Sequence, residues 1–137
     1  MPRAWIALFV LTGAVAQSPA TMQQVMLDLI HPASNDILLF VSRGAPKNEL
    51  EWAAVRRSAL TLAEAGNLLA MPGRARDAND WIKDARALTD VGTAAYRAAQ
   101  AKDLNALSAL TESLDASCTN CHKQYRPNVF PHEGATK

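Results

Sequence analysis

At 137 residues the chain is long enough for one domain and hardly for two. Its 14 lysines and arginines against 13 acidic residues leave a formal charge of +1. That balance argues against nucleic acid as a partner and predicts only weak long-range steering of any protein partner.

The chain opens Met1-Pro2-Arg3-Ala4-Trp5, continues through apolar Ile6 to Leu11, and reaches Ala14-Val15-Ala16 before Gln17. A positive start, a short apolar run and an A-x-A step before a break have the form of an export signal. The apolar run is too short to span a bilayer, and no later segment approaches the ~20 apolar residues that a spanning helix needs. The expectation is a signal peptide over residues 1–16, cleaved near Ala16, then a single domain over residues 17–137 that works in the periplasm without membrane insertion. Arg3 leaves with the signal, so basic and acidic residues then balance.

Four helices with marked breaks follow. The first is predicted from Ser18 or Pro19 to Ser42, with Met22, Val25, Met26, Leu29, Ile37, Leu38 and Val41 as its apolar positions. Pro32 inside it should kink or divide it. Gly44-Ala45-Pro46 ends this segment, and Asn48 with Glu51 three residues on makes a start of the capping-box kind for the second helix. There Trp52, Val55, Ala59, Leu62, Ala63, Gly66 and Leu69 form one stripe at i+3/i+4 spacing. Met71-Pro72-Gly73 stops it, and Asp77 or Asn79 can cap the third helix. The third stripe, Trp81, Ala85, Leu88, Gly92, Ala95 and Ala99, is mostly small, which lets a neighbour or a cofactor come close. Asp103 caps a fourth helix with Leu107, Leu110, Leu114, Cys118, Cys121 and Tyr125 in line. After Arg126, Pro127 and Pro131 mark an extended tail.

The fourth helix carries the chemistry. Cys118-Thr119-Asn120-Cys121-His122 is a C-x-x-C-H run, the spacing of a c-type haem attachment site. On a helix Cys118 has Cys121 at i+3 and His122 at i+4, so two thiols and an imidazole share one broad face that a flat ring can touch. Each thiol can add to a haem vinyl group while the imidazole reaches the iron from the same side. Other readings of the pair compete. A redox C-x-x-C wants its thiol at a helix N-terminus in a βαβ setting, whereas this pair lies late in a helical stretch with no strand before it. A disulfide would close a very small loop and stabilise little. Zinc would need a fourth ligand, for which only His132 or His31 is on offer.

Because the cysteines continue the core-facing stripe, the ring belongs inside the bundle. The expected fold is all-α, an antiparallel four-helix bundle of up-down-up-down topology around one covalently bound haem c per chain. Alanine and glycine leave the protein core thin. A ring burying several hundred Å² at ~25 cal/mol per Å² would add several kcal/mol as an upper bound.

Cys118-x-x-Cys121-His122-x-x-Tyr125-Arg126 near the end of an all-helical, exported chain resembles the class II c-type cytochromes, the group of cytochrome c prime and its low-spin relatives. Class I cytochromes place the motif near the N-terminus instead. The resemblance implies thioether bonds at Cys118 and Cys121, His122 as proximal iron ligand, and Arg126 near a haem carboxylate. It also implies that the iron's sixth position is filled by a first-helix methionine in low-spin members and left open in five-coordinate ones. Met26 sits nearest the place of that ligand, with Met22, Met71 and His31 as further candidates. Methionines on an apolar face also serve as plain core filling. His31 lies five residues from Met26, about 140° round an ideal helix, so the two cannot both face the iron unless Pro32 reshapes the turn.

The function expected is electron transport: a mono-haem carrier, not an enzyme, exchanging single electrons with redox partner proteins in the periplasm, with His122 and Met26 on the iron. Self-association as a homodimer is left open. The alternatives are a five-coordinate haem protein binding nitric oxide or carbon monoxide, and a zinc- or disulfide-stapled helical binding module.

Overall fold

The structure, a computed structural model, describes residues 18–128. The expected signal segment 1–16 and the tail histidine His132 lie outside them. Among the described residues all regular structure is helical, and four helical segments pack together.

Helix α1 spans Met22–Ser42. It starts at Thr21, whose hydroxyl accepts from the Gln24 amide at 3.2 Å while the Gln24 side chain accepts from the Thr21 amide at 2.9 Å. This capping box begins the helix later than the Ser18-Pro19 start expected. Pro32 neither breaks nor divides the helix. Instead Val25–Ile30 forms a π-helical turn, and the His31 amide reaches back five residues to the Met26 carbonyl. A wider turn is a natural answer to a proline, which lacks an amide donor and whose ring presses on the carbonyl four residues before it. The expectation that no segment after the signal has the length and apolarity of a spanning helix is also corrected: α1, with a mean hydropathy of 1.2, meets that test. It nevertheless carries Asp28 and Asp36 and gives Val25, Ala33 and Ile37 to the core.

Helix α2 spans Glu49–Leu69 and is capped as expected by the Asn48 side chain, 3.0 Å from the Glu51 amide. The Glu51 carboxylate accepts from the Lys47 amide. Helix α3 spans Asp80–Ala101. Of its two candidate caps Asp77 does the work, accepting from the amides of Asn79 at 2.9 Å and Trp81 at 3.0 Å.

The fourth segment is two helices where one was expected. Asp103 caps α4, Leu104–Ala109, and α5 runs over Thr111–Tyr125. The hydroxyl of Thr111 takes the Ser108 carbonyl at 2.9 Å, and the Leu110 amide reaches only three residues back, to Leu107. That local bond competes with the helical ladder and offsets α5 from α4.

The α2 and α3 stripes are buried as the spacing predicts. These two helices meet closely at two glycines. A Cβ on Gly92 would stand 2.4 Å from the Ala63 backbone nitrogen, and one on Gly66 would stand 2.7 Å from the Ala85 carbonyl oxygen. Helix α1 packs on α2 and α5 packs on α3, while α1 and α5 have no comparable packing with each other. Between them lies a pocket.

Candidate functional site

The four helical segments leave an apolar pocket on the side where α1 and α5 do not meet. Cys118, Cys121 and His122 of α5 line it, all half-buried. Facing them from α1 are Met26 and Ile30. Leu69 of α2 and Trp81, Ala85 and Leu88 of α3 complete the apolar wall.

The helices that carry the wall are tied together near the pocket. The buried Ser117 hydroxyl donates to the Leu114 carbonyl at 2.8 Å, fixing α5 just before the first cysteine. Trp81 is held from three sides: its indole N–H donates to the Leu69 carbonyl at 2.7 Å, Tyr125 meets its ring edge-on at 4.8 Å, and the Arg76 guanidinium lies 5.9 Å from the ring centroid. Tyr125 in turn donates its hydroxyl to Asp77, the α3 cap, so the end of α5 is tied to the start of α3.

The electrostatics favour neutral forms. Burial pushes the Cys118 thiol up, and burial together with the Asp84 carboxylate pushes Cys121 up to about 11. Burial and the nearby Arg126 guanidinium lower His122 from its ordinary 6.5, favouring the neutral imidazole that can act as a ligand. These thiols are the opposite of an activated redox pair, whose reactivity rests on a stabilised thiolate. Both cysteines are free, and among the described residues no three His, Cys, Asp or Glu side chains converge as ligands of a metal ion would.

Of the sequence-predicted residues, the pocket gathers Cys118, Cys121, His122 and Met26. Arg126 stands exposed at the C-cap of α5, where its charge is felt by His122. Met22 and Met71 line a separate surface cleft, with Met71 sulfur 3.8 Å from Arg74. His31 is exposed and pairs with Asn35 on its own helix. Trp52 is buried elsewhere in the core, while Trp81 reaches the pocket wall.

Sequence reading missed Asp84. It is the one carboxylate in the wall, it accepts from the Cys121 thiol, and burial raises its pKa. The signal was available: Asp84 follows Trp81 by three residues, a charged side chain inside an apolar stripe.

No protein-family model, curated protein or solved structure matches this chain. Fold and site define, by themselves, an all-helical domain with two thiols, an imidazole and a thioether around one apolar pocket.

Proposed function

We propose that the protein is an exported mono-haem c-type cytochrome of the class II kind, an up-down-up-down bundle that carries single electrons. The observation that carries this reading is the convergence of Cys118, Cys121 and His122 on one pocket with Met26 opposite. The residues suit haem in chemistry as well as in number. Cys118 and Cys121, side by side in the apolar wall, would hold the ring through a thioether bond at each of its two vinyl groups. The neutral His122 ring supplies a nitrogen ligand and the Met26 thioether a soft sulfur ligand, neither of which carries a charge into the pocket. Ile30, Leu69, Trp81 and Leu88 exclude water from the same space. Arg126, exposed at the C-cap of α5 near His122, would be available to a haem carboxylate. Haem bound there supplies a one-electron iron couple whose potential a methionine ligand raises.

The test is expression in a bacterial host with and without haem-attachment machinery. With it, the purified exported protein should carry haem that survives acid-acetone extraction, show a low-spin spectrum in both oxidation states, and resist carbon monoxide. Cys118→Ala or Cys121→Ala should leave one thioether at most, and His122→Ala should remove most of the holoprotein. Met26→Ala should open the iron to small ligands, whereas His31→Ala, remote from the pocket, should leave the spectrum unchanged. Colourless protein from a competent host would overturn the reading. A wild-type protein that is high-spin and binds carbon monoxide readily would replace it with the gas-binding one.

A further inference from the structure

The π turn of α1 has a consequence for Met26 that follows from helical geometry. On an uninterrupted α-helix, at about 100° per residue, Met26 lies seven residues before Ala33 and eleven before Ile37, which puts all three in one line. Ala33 and Ile37 are core residues, 5% and 2% exposed. Met26 would then point into the packing against α2, and Val25 would stand about 100° away from it. The observed arrangement is the reverse. Val25 is the core residue, 0% exposed, and Met26 is half-buried in the pocket wall with Ile30. The difference is one extra residue taken up by the turn Val25–Ile30, where the His31 amide bonds the Met26 carbonyl instead of that of Leu27. An inserted residue rotates everything before it by about 100° relative to everything after it.

We propose that Pro32 is a positioning residue for the pocket: by holding the preceding turn in the π form, it turns Met26 out of the α2 interface and aims its sulfur toward the wall that carries Cys118, Cys121 and His122. The inference rests on Met26 acting at the iron, and it assigns to Pro32, itself exposed and outside the pocket, the register on which that depends. Leu27, 56% exposed, is the residue best able to be lost from the turn, since its side chain contributes little to the core.

Three variants test the register directly. In the wild type, NMR scalar coupling across the hydrogen bond should join the His31 amide to the Met26 carbonyl, with or without haem. Pro32→Ala should move that coupling to the Leu27 carbonyl and convert the holoprotein from low-spin to high-spin with gain of carbon monoxide binding. Deleting Leu27 in the Pro32→Ala background removes the extra residue, so a regular α-helix returns Met26 to the pocket, and the low-spin spectrum should be restored. A general structural role for Pro32 would not be rescued by shortening the chain. If Pro32→Ala alone does not accumulate while the deletion variant is folded and low-spin, the register is again what the site requires. A Pro32→Ala protein that keeps the i−5 coupling and the low-spin spectrum overturns the proposal, as does a deletion variant that stays high-spin. Met26→Ala separates the two levels: an unchanged spectrum there removes Met26 from the iron, while the coupling still reports on the turn.

Discussion

Replacing Gly92 with alanine adds a single methyl group at the closest approach of α2 and α3. The new Cβ would lie 2.4 Å from the Ala63 nitrogen and 2.9 Å from both the Ala63 Cα and the Leu62 carbonyl carbon. All three are backbone atoms, so no side-chain rotation relieves the overlap and the helices must part by several tenths of an ångström. Alanine is a better helix former than glycine by roughly 1 kcal/mol. Against this, a gap of 0.5–1 Å forfeits about a quarter to a half of the dispersion energy of the contacts it opens, here those of Leu62, Ala63 and Ala95. Overpacking of a tight core typically costs about 1–3 kcal/mol, and a clash with backbone belongs at the upper end. The net expectation is a loss of ~1–2 kcal/mol, or a fall in Tm of roughly 4–12 °C for a domain of this size. Helical circular dichroism during thermal and urea unfolding measures it. Gly73→Ala is the control: nothing lies within 4 Å of its Cβ, but its φ of +86° makes alanine pay a backbone penalty of roughly 1 kcal/mol. A Gly92→Ala protein as stable as the wild type, or more so, would refute the close-packed account of this interface.

Two further outcomes follow from the site's electrostatics and its ties. Because the folded Cys121 thiol is raised from 9.0 to about 11, the unfolded chain loses its proton first; protein with free thiols should therefore lose stability as pH rises from about 9 toward 11, and denaturant unfolding should show a smaller loss in Cys121→Ala, with the part due to the raised Cys118 thiol remaining. Asp77→Ala removes the acceptor for the Asn79 and Trp81 amides and the Tyr125 hydroxyl at once, so thermal unfolding should show a lower Tm and hydrogen exchange a faster opening of the end of α5, with Asp77→Asn retaining most of the cap.

How much could be read from the sequence depended on whether a helix kept its ordinary period. In α2 and α3 every residue that the 3.6-residue spacing named is buried, and Ser58, Ala65, Val91 and Ala98 widen the buried face beyond the stripe. In α1 the same ruler put Val25 and Ile37 in the core, as the structure has them, but it placed Leu29 on the buried face and passed over Ile30, which is buried within a π turn that the residue types do not reveal. The spacing of Cys118, Cys121 and His122 is local to one helix and was legible at once. The partners that make those residues a site, Met26, Leu69, Trp81 and Asp84, come from three other helices, and only packing brings them together.

The small residues were legible too, but which of two purposes they serve was not. Read along the chain, Gly92, Ala95 and Ala99 allow either a neighbouring helix or a cofactor to come close to the third helix. In the structure Gly92 is filled from the other side by the backbone of α2 at Ala63, and α3 carries a matching wall of Ala85 and Thr89 against Gly66. Those stripes let two helices close on each other at Gly66 and Gly92. The unfilled volume lies instead between α1 and α5, bounded by side chains of ordinary size such as Ile30, Leu69 and Leu88. Two helices held by different neighbours, α1 by α2 and α5 by α3, need not touch each other. A ring anchored on α5 and met by Met26 from α1 would join the two segments that the protein's own packing leaves apart.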